Sequence, residues 1–255
     1  MKFFKKKQAP KENNFDSFPE IGGLMVSKMV VDQNIKPRFL YREKRTRPED
    51  SGWRIFTGSE SEEYTDNPDN AGIYNPPTIL KIDPSLKKIL LKGVGSVYER
   101  ANENSDWYKV HDYDLEDDFM TTHRLTEEWS IEINNLFERT IEEDGTLYYT
   151  TGDKSIRIII WNSDRDKKAL YEESKESVEN RNQTESKTLQ QFEFSDSEVS
   201  RVGYLIEESE GDKTYNLIIG FSVVDQETVQ SAFYFDEKTD LEWALTTWKN
   251  ISFRR

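Results

Sequence analysis

The side chains able to make and break bonds are unevenly supplied in this sequence. Its 255 residues include 49 Asp+Glu, 2 His and no Cys. A zinc site needs several convergent nitrogen or sulfur ligands. His111 and His123 have no thiolate and no third imidazole to join them, so no metal site is expected. Asp112, Asp114 and Glu116 have the spacing of the first ligands of a calcium loop. That loop needs glycine at its sixth position and glutamate at its twelfth, where this chain has Asp117 and His123. The stretch therefore reads as a solvated acidic face.

Nucleophilic catalysis from a strained serine elbow would show as G-x-S-x-G, which does not occur. Gly93-Val94-Gly95-Ser96 lacks the lysine and the spacing of a phosphate-binding loop and reads as a turn. Paired carboxylates could serve as general acid and base, and Glu60 with Glu63, or Asp50 with Asp83, are the candidates. With so many acids in the chain, such pairs arise from composition alone, and capping or turn formation accounts for each. Arg38, Arg42, Lys44, Arg45 and Arg47 cluster near Phe39, Tyr41 and Trp53, the pattern of a nucleic-acid surface. Nearby acids and a net charge of −14 oppose that use. No catalytic, cofactor or metal residue is assigned, and no nucleic-acid partner is expected.

The elements that hold these residues fall into two sets. Residues 1–19 are polar and expected to be a disordered tail, with Lys2, Lys5, Lys6 and Lys7 at its start. No apolar signal core follows, and no apolar run is long enough to span a membrane. From 20 to 110, short strands at Leu24–Ser27, Arg38–Arg42 and Trp53–Thr57 are broken by turns such as Asp50-Ser51-Gly52. Helix starts are expected at Ser59–Glu62 and at Asp83-Pro84, the latter running to Leu90. Residues 111–128 read as an acidic linker.

Beyond the linker the patterning strengthens. Trp129, Ile131 and Ile133 alternate with polar residues, Asp144-Gly145 marks a hairpin, and Ile156, Ile158 and Ile160 alternate in turn. A polar helix is expected from Ser163 to about Ser186. Val202, Tyr204 and Ile206 form a strand, and Tyr215, Leu217, Ile219, Phe221 and Val223 another. Val229, Phe233 and Phe235 follow. Thr239-x-x-Glu242 is a capping box. It opens a helix whose apolar stripe is Leu241, Ala244, Leu245 and Trp248, and the face bearing Leu217, Ile219 and Phe221 is its expected partner. The fold class is α+β in two domains. A small mixed domain spans 20–110, and an antiparallel sheet with packed helices spans 129–255.

Charge divides the chain in the same way. Residues 1–100 carry 18 Lys+Arg against 14 Asp+Glu, and residues 101–255 carry 17 against 35. The acidic half would attract a basic partner. Without cysteines the chain suits a reducing compartment, and a cytoplasmic location is expected.

The ordered set Met25-Val26-Ser27-Lys28, Tyr41-Arg42-Glu43, Asp50-Ser51-Gly52-Trp53-Arg54, Phe56-x-Gly58-x-Glu60, Tyr64, Gly72-Ile73-Tyr74, Asp83-Pro84-Ser85 and Gly95-Ser96-x-x-Glu99-Arg100 resembles a bacterial domain. It is grouped with the immunity proteins of polymorphic toxin systems as family thirty-three. The resemblance covers about a third of the chain. It implies a non-enzymatic cytoplasmic protein that binds and neutralises a cognate toxin, and it brings no catalytic residues to transfer. The order of elements in the second half is loosely similar to the Mog1/PsbP-like fold.

The expected partner is a toxin protein, basic in charge. Phe39, Tyr41 and Tyr64 are the candidate anchors, with Glu207, Glu208 and Glu210 as the acidic surface. A carboxylate-dependent hydrolase and a two-domain adaptor are the alternatives.

Overall fold

The structure, a computed structural model, describes residues 15–211 and 213–254. The lysine run at 2–7 lies outside the described residues. The chain divides into two compact units. Unit 1 holds residues up to Leu91 together with Ser96–Tyr113. Unit 2 holds Lys92–Gly95 and the chain from Asp114 onward.

Unit 1 is built on a six-stranded sheet. Its strands are β1 (Gly23–Ser27), β2 (Phe39–Arg42), β3 (Asp50–Phe56), β4 (Ala71–Tyr74), β5 (Val97–Glu99) and β6 (Tyr108–Lys109), in the order β4-β1-β3-β2-β5-β6. The β1–β3 pair is parallel and the other pairs are antiparallel. Successive strand residues point to opposite faces, and here the faces differ in kind. Leu24, Val26, Leu40, Trp53 and Ile55 are fully buried on one side, in a core with Ile79, Leu80, Leu86 and Leu90. That side carries the helices α1 (Lys28–Asp32) and α3 (Pro76–Ile82). A third short helix, α2 (Glu62–Thr65), starts at Ser61, whose side chain accepts the Tyr64 N–H.

Three expectations for this part of the chain change. Phe15 and Phe18 are buried in the unit 1 core, so the expected disordered tail does not reach residue 19. Two rings brought under a sheet gain more from leaving water than two residues lose in backbone freedom. The expected Asp83–Leu90 helix is two short 3₁₀ turns, Pro84–Lys87 and Ile89–Leu91, with Asp83 capping the Ser85 N–H. The expected linker 111–128 contains a strand, Met120–Arg124, and a buried Leu115. The threonines of Met120-Thr121-Thr122-His123-Arg124 suit a pleated surface, and acidic flanks do not forbid one.

Unit 2 contains a three-stranded and a seven-stranded sheet, both antiparallel. The small sheet orders β16 (Ile251–Phe253), β8 (Trp129–Asn134) and β7 (Met120–Arg124). The large one runs β12 (Thr188–Ser195), β13 (Ser200–Glu210), β14 (Lys213–Val223), β15 (Glu227–Phe235), β11 (Lys154–Asn162), β10 (Leu147–Thr150) and β9 (Glu138–Ile141). Two helices complete the unit, α4 (Lys167–Glu179) and α5 (Leu241–Lys249). Helix α4 is capped by Asp166 and ends at Glu179, short of the expected Ser186. Its buried stripe of Leu170, Ser174 and Val178 runs out there, and the polar turn that follows leads into edge strand β12.

The closing helix packs on the sheet, but on the opposite face from the one expected. Trp248 is fully buried over Gly203 and Gly220. Its indole N–H donates to Ser222 Oγ at 3.0 Å. Gly220, Ser222 and Ile218 share the even-numbered face of β14, with Gly203 paired to Gly220 from β13, and Ile218 lies in the core with Ala244 and Trp248. Leu217, Ile219 and Phe221 occupy the other face, where Leu170 and Ser174 of α4 share a cleft with Phe221 and Trp161. Both faces of β14 are covered, so apolar alternation could not choose between them. The glycines decide it, because only a surface without Cβ atoms lets an indole lie that close.

Candidate partner-binding face

The outer face of the unit 1 sheet follows from strand register. One row across the sheet reads Ile73, Met25, Arg54, Tyr41 and Val97. The next reads Phe56, Phe39, Glu99 and Tyr108. Ile73 is 66% exposed, Tyr108 51% and Met25 37%. Isolated exposed apolar residues need no explanation, but several on one face mark an interaction surface.

At the centre four rings pack together. Tyr41 lies 6.0 Å from Phe39, 6.0 Å from Phe56 and 5.2 Å from Tyr113, and Phe39 lies 5.3 Å from Tyr113. Burial, then the negative field of Glu43, pushes the Tyr41 hydroxyl up to about 12. Tyr113 is raised as well, by burial first.

Beside the rings, Arg54 is nearly buried and held by two acids. Its Nε donates to Glu43 Oε1 at 2.6 Å, and its Nη2 to Asp50 Oδ2 at 2.7 Å. Burial is the largest single influence and works against the Asp50 charge, but the hydrogen bonds from Arg54 and the Gly52 N–H, with the charges of Arg54 and Arg42, together outweigh it and hold the carboxyl below the usual range.

The motif residues turn out to be scaffold. Asp50 Oδ1 accepts the Gly52 N–H at 2.9 Å, closing the turn. Gly52 sits at φ +82°, and a Cβ there would meet the Glu43 carbonyl at 2.2 Å. Ser51 Oγ donates to the Gly23 carbonyl, and Trp53 Nε1 to the Leu90 carbonyl at 3.1 Å. Glu60 accepts the N–H groups of Thr57 and Ser59 and locks the loop after β3. Asp83 pairs with Arg100, both buried, and the Arg100 guanidinium lies 4.4 Å from the Trp107 ring centroid. The carboxylates considered for acid–base work, Asp50, Asp83 and Glu60, are thus each engaged by a different neighbour. Glu63 lies on the exposed first turn of α2.

The six residues singled out in the sequence are not brought together. Phe39 and Tyr41 lie in the ring cluster. Tyr64 lies on α2, where it makes local hydrogen bonds with Asn70. Glu207, Glu208 and Glu210 lie on β13 of unit 2, and Glu208 accepts the Tyr215 hydroxyl at 3.1 Å. Sequence reasoning missed Phe56, Met25, Ile73 and Tyr113. For the first three, the signal was the register of neighbouring strands. Tyr113 carried none, because it sits in the acidic stretch. Among the described residues no group of His, Asp and Glu could hold a metal ion, and no helix is long and apolar enough to cross a membrane.

Residues 24–111 match the family model of the Immunity protein Imm33 domain. The Imm33 match begins one residue into β1, runs through β6 and includes the scaffold residues named above except Gly23, together with Phe39, Tyr41 and Phe56. Tyr113 lies just beyond it. No curated protein matches the chain.

Among solved structures, one crystal structure from Bacteroides thetaiotaomicron is similar at 11% identity and a TM-score of 0.39, covering 50% of this chain and 45% of that one. This chain therefore spans less than half the length of that structure. The solution structure of PsbP (CyanoP) from Synechocystis is similar at 8% identity and a TM-score of 0.42, covering 57% of this chain and 97% of that one. Scores this low carry no argument about fold or function.

Proposed function

We propose that this chain is a non-enzymatic immunity protein that binds a cognate toxin through the outer face of the unit 1 sheet and blocks it in the cytoplasm. The observation that carries the reading is the Imm33 match over residues 24–111. The geometry supports it in two ways. Motif residues that might have suggested catalysis are consumed in turns, caps and ion pairs. What remains accessible is a broad sheet face rich in aromatic rings, the residue types that dominate binding energy at protein interfaces.

The toxin we infer is basic. Unit 2 holds most of the chain's acidic excess, with Glu207 and Glu210 exposed on β13, and such a field speeds capture of a cationic partner. In this reading the acidic surface steers and the aromatic face holds.

The test is co-expression with the toxin encoded by the adjacent gene. Growth should be protected, and the two proteins should purify together. If the toxin still kills and no complex forms, the reading is wrong.

A further inference from the structure

We infer that the ring cluster of unit 1, completed by Glu43, is a receptor for a basic side chain, arginine or lysine, projecting from the partner protein. This rests on the immunity reading above and deepens it, by naming the chemistry the partner must present at the centre of the face.

The argument begins with charge. On the outer face Arg54 supplies one positive charge, while Asp50 and Glu43 supply two negative ones. Arg42 lies by register on the core side, opposite Trp53, with its guanidinium 5.9 Å from the Trp53 ring centroid and its Nε on the Ser51 carbonyl. Its charge also acts on Asp50. Glu43 is 40% exposed, and only its Oε1 is used, by Arg54. Its Oε2 accepts no hydrogen bond among the described residues. A carboxylate oxygen with capacity to spare therefore stands at the edge of the aromatic cluster. Glu43 follows Phe39 and Tyr41 on the same face of the chain, its partner Arg54 stands opposite Tyr41 across the strand pair, and its field raises both tyrosine hydroxyls.

The rings set the second condition. Tyr41, Tyr113, Phe39 and Phe56 pack at 5.2–6.2 Å, tilted to one another except for the stacked Tyr41–Phe56 pair, with Tyr113 39% exposed. Aromatic faces attract cations through the ring quadrupole, and a carboxylate adds a charge-assisted hydrogen bond. Both features reject an anionic side chain. A neutral apolar side chain would fit the rings but leave the Glu43 oxygen covered and unpartnered, which is costly. A guanidinium satisfies both at once, since it stacks on a ring and donates in plane.

The experiment uses the full chain and two small probes. N-acetyl-arginine amide is titrated in while the tyrosine ring signals are followed by NMR, and N-acetyl-citrulline amide, the same shape without charge, is the control. The arginine probe should shift the Tyr41 and Tyr113 signals saturably and bind about 5-fold or more tightly than citrulline. Glu43→Gln keeps an acceptor for Arg54 but removes the charge, so it should abolish most of that preference while the ring signals still report a folded sheet. Tyr113→Leu should weaken the arginine probe and leave citrulline nearly unchanged. Equal binding of the two probes, no response at these tyrosines, or an undiminished preference in Glu43→Gln would overturn the inference. None of these outcomes touches whether a toxin binds, which co-expression decides separately.

Discussion

Gly220 offers the sharpest test of how unit 2 is packed. It lies mid-strand in β14, opposite Gly203 on one side and Ser231 on the other. A Cβ at this position would lie 2.5 Å from Cε2 and 2.7 Å from Cζ2 of Trp248. The indole has little freedom to retreat, since its N–H is bonded to Ser222 and its ring meets Phe194 edge-on at 4.7 Å. Gly220→Ala should therefore destabilise the unit at the upper end of the overpacking range, about 3 kcal/mol. Trp248→Phe removes the fused edge of the ring and leaves the Ser222 hydroxyl without its donor, costing ~2–3 kcal/mol. Combined, the alanine methyl enters space the smaller ring has vacated, so the double variant should lose ~1–2 kcal/mol less than the sum. The assay is urea denaturation followed by near-ultraviolet dichroism, with hydrogen exchange of the β14 amides to assign the transition to this unit. Additivity within ~0.5 kcal/mol would mean that the glycine and the indole do not share the space described.

Other predictions follow from the same geometry. Asp50 titrates below its unfolded value, so its contribution is fully present above about pH 4 and is lost as pH falls through the folded value; Asp50→Asn should lower stability at pH 7 by ~1–3 kcal/mol and flatten acid unfolding below pH 4. If Asp50→Asn is neutral at pH 7, the Arg54 arrangement is not what holds the β3 turn. Tyr41 is raised, so its neutral form stabilises the fold up to about pH 10, and that contribution is lost as pH rises through about 12. The absorbance titration at ~295 nm of wild type minus Tyr41→Phe should show one tyrosine ionising near that upper value, and an ionisation near pH 10 would contradict the buried, Glu43-facing setting. Charge reversal at Glu207 and Glu210 should slow association with a basic toxin several-fold, as should high salt, while dissociation changes little. Association indifferent to both would leave the acidic surface a solubility feature.

How much was legible depended on which signal each element carried. The strands of unit 2 showed themselves because Ile156-x-Ile158-x-Ile160 and Tyr215 through Val223 alternate with period two. The same alternation misassigned the partner of α5, because β14 is covered on both faces and the deciding residues, Gly203 and Gly220, are legible only once the strands are paired. The stretch from Asp50 to Trp53 was readable as turn chemistry, and the structure has Gly52 at positive φ with Asp50 closing the turn. Strand β7 was hidden by its acidic surroundings. Phe39 and Tyr41 could be proposed from residue type, but their companions Phe56 and Tyr113 arrive from a neighbouring strand and from a distant loop. Tyr64 had the same residue type, but the helix start expected at Ser59–Glu62 already set it on a short helix and not on the strands of the face.

The most direct test of the account is the affinity of the adjacent-gene toxin for single variants of the two surfaces, measured by titration calorimetry. Phe39→Ala and Tyr113→Ala, each still folded by dichroism, should weaken binding by ~2 kcal/mol or more, about 30-fold, as central aromatic anchors do. Trp161→Ala, an exposed aromatic on unit 2 and 54% accessible, should change it by less than ~0.5 kcal/mol. If instead the two unit 1 variants bind like wild type and the Trp161 variant does not, the outer face of the first sheet is not where this protein holds its partner.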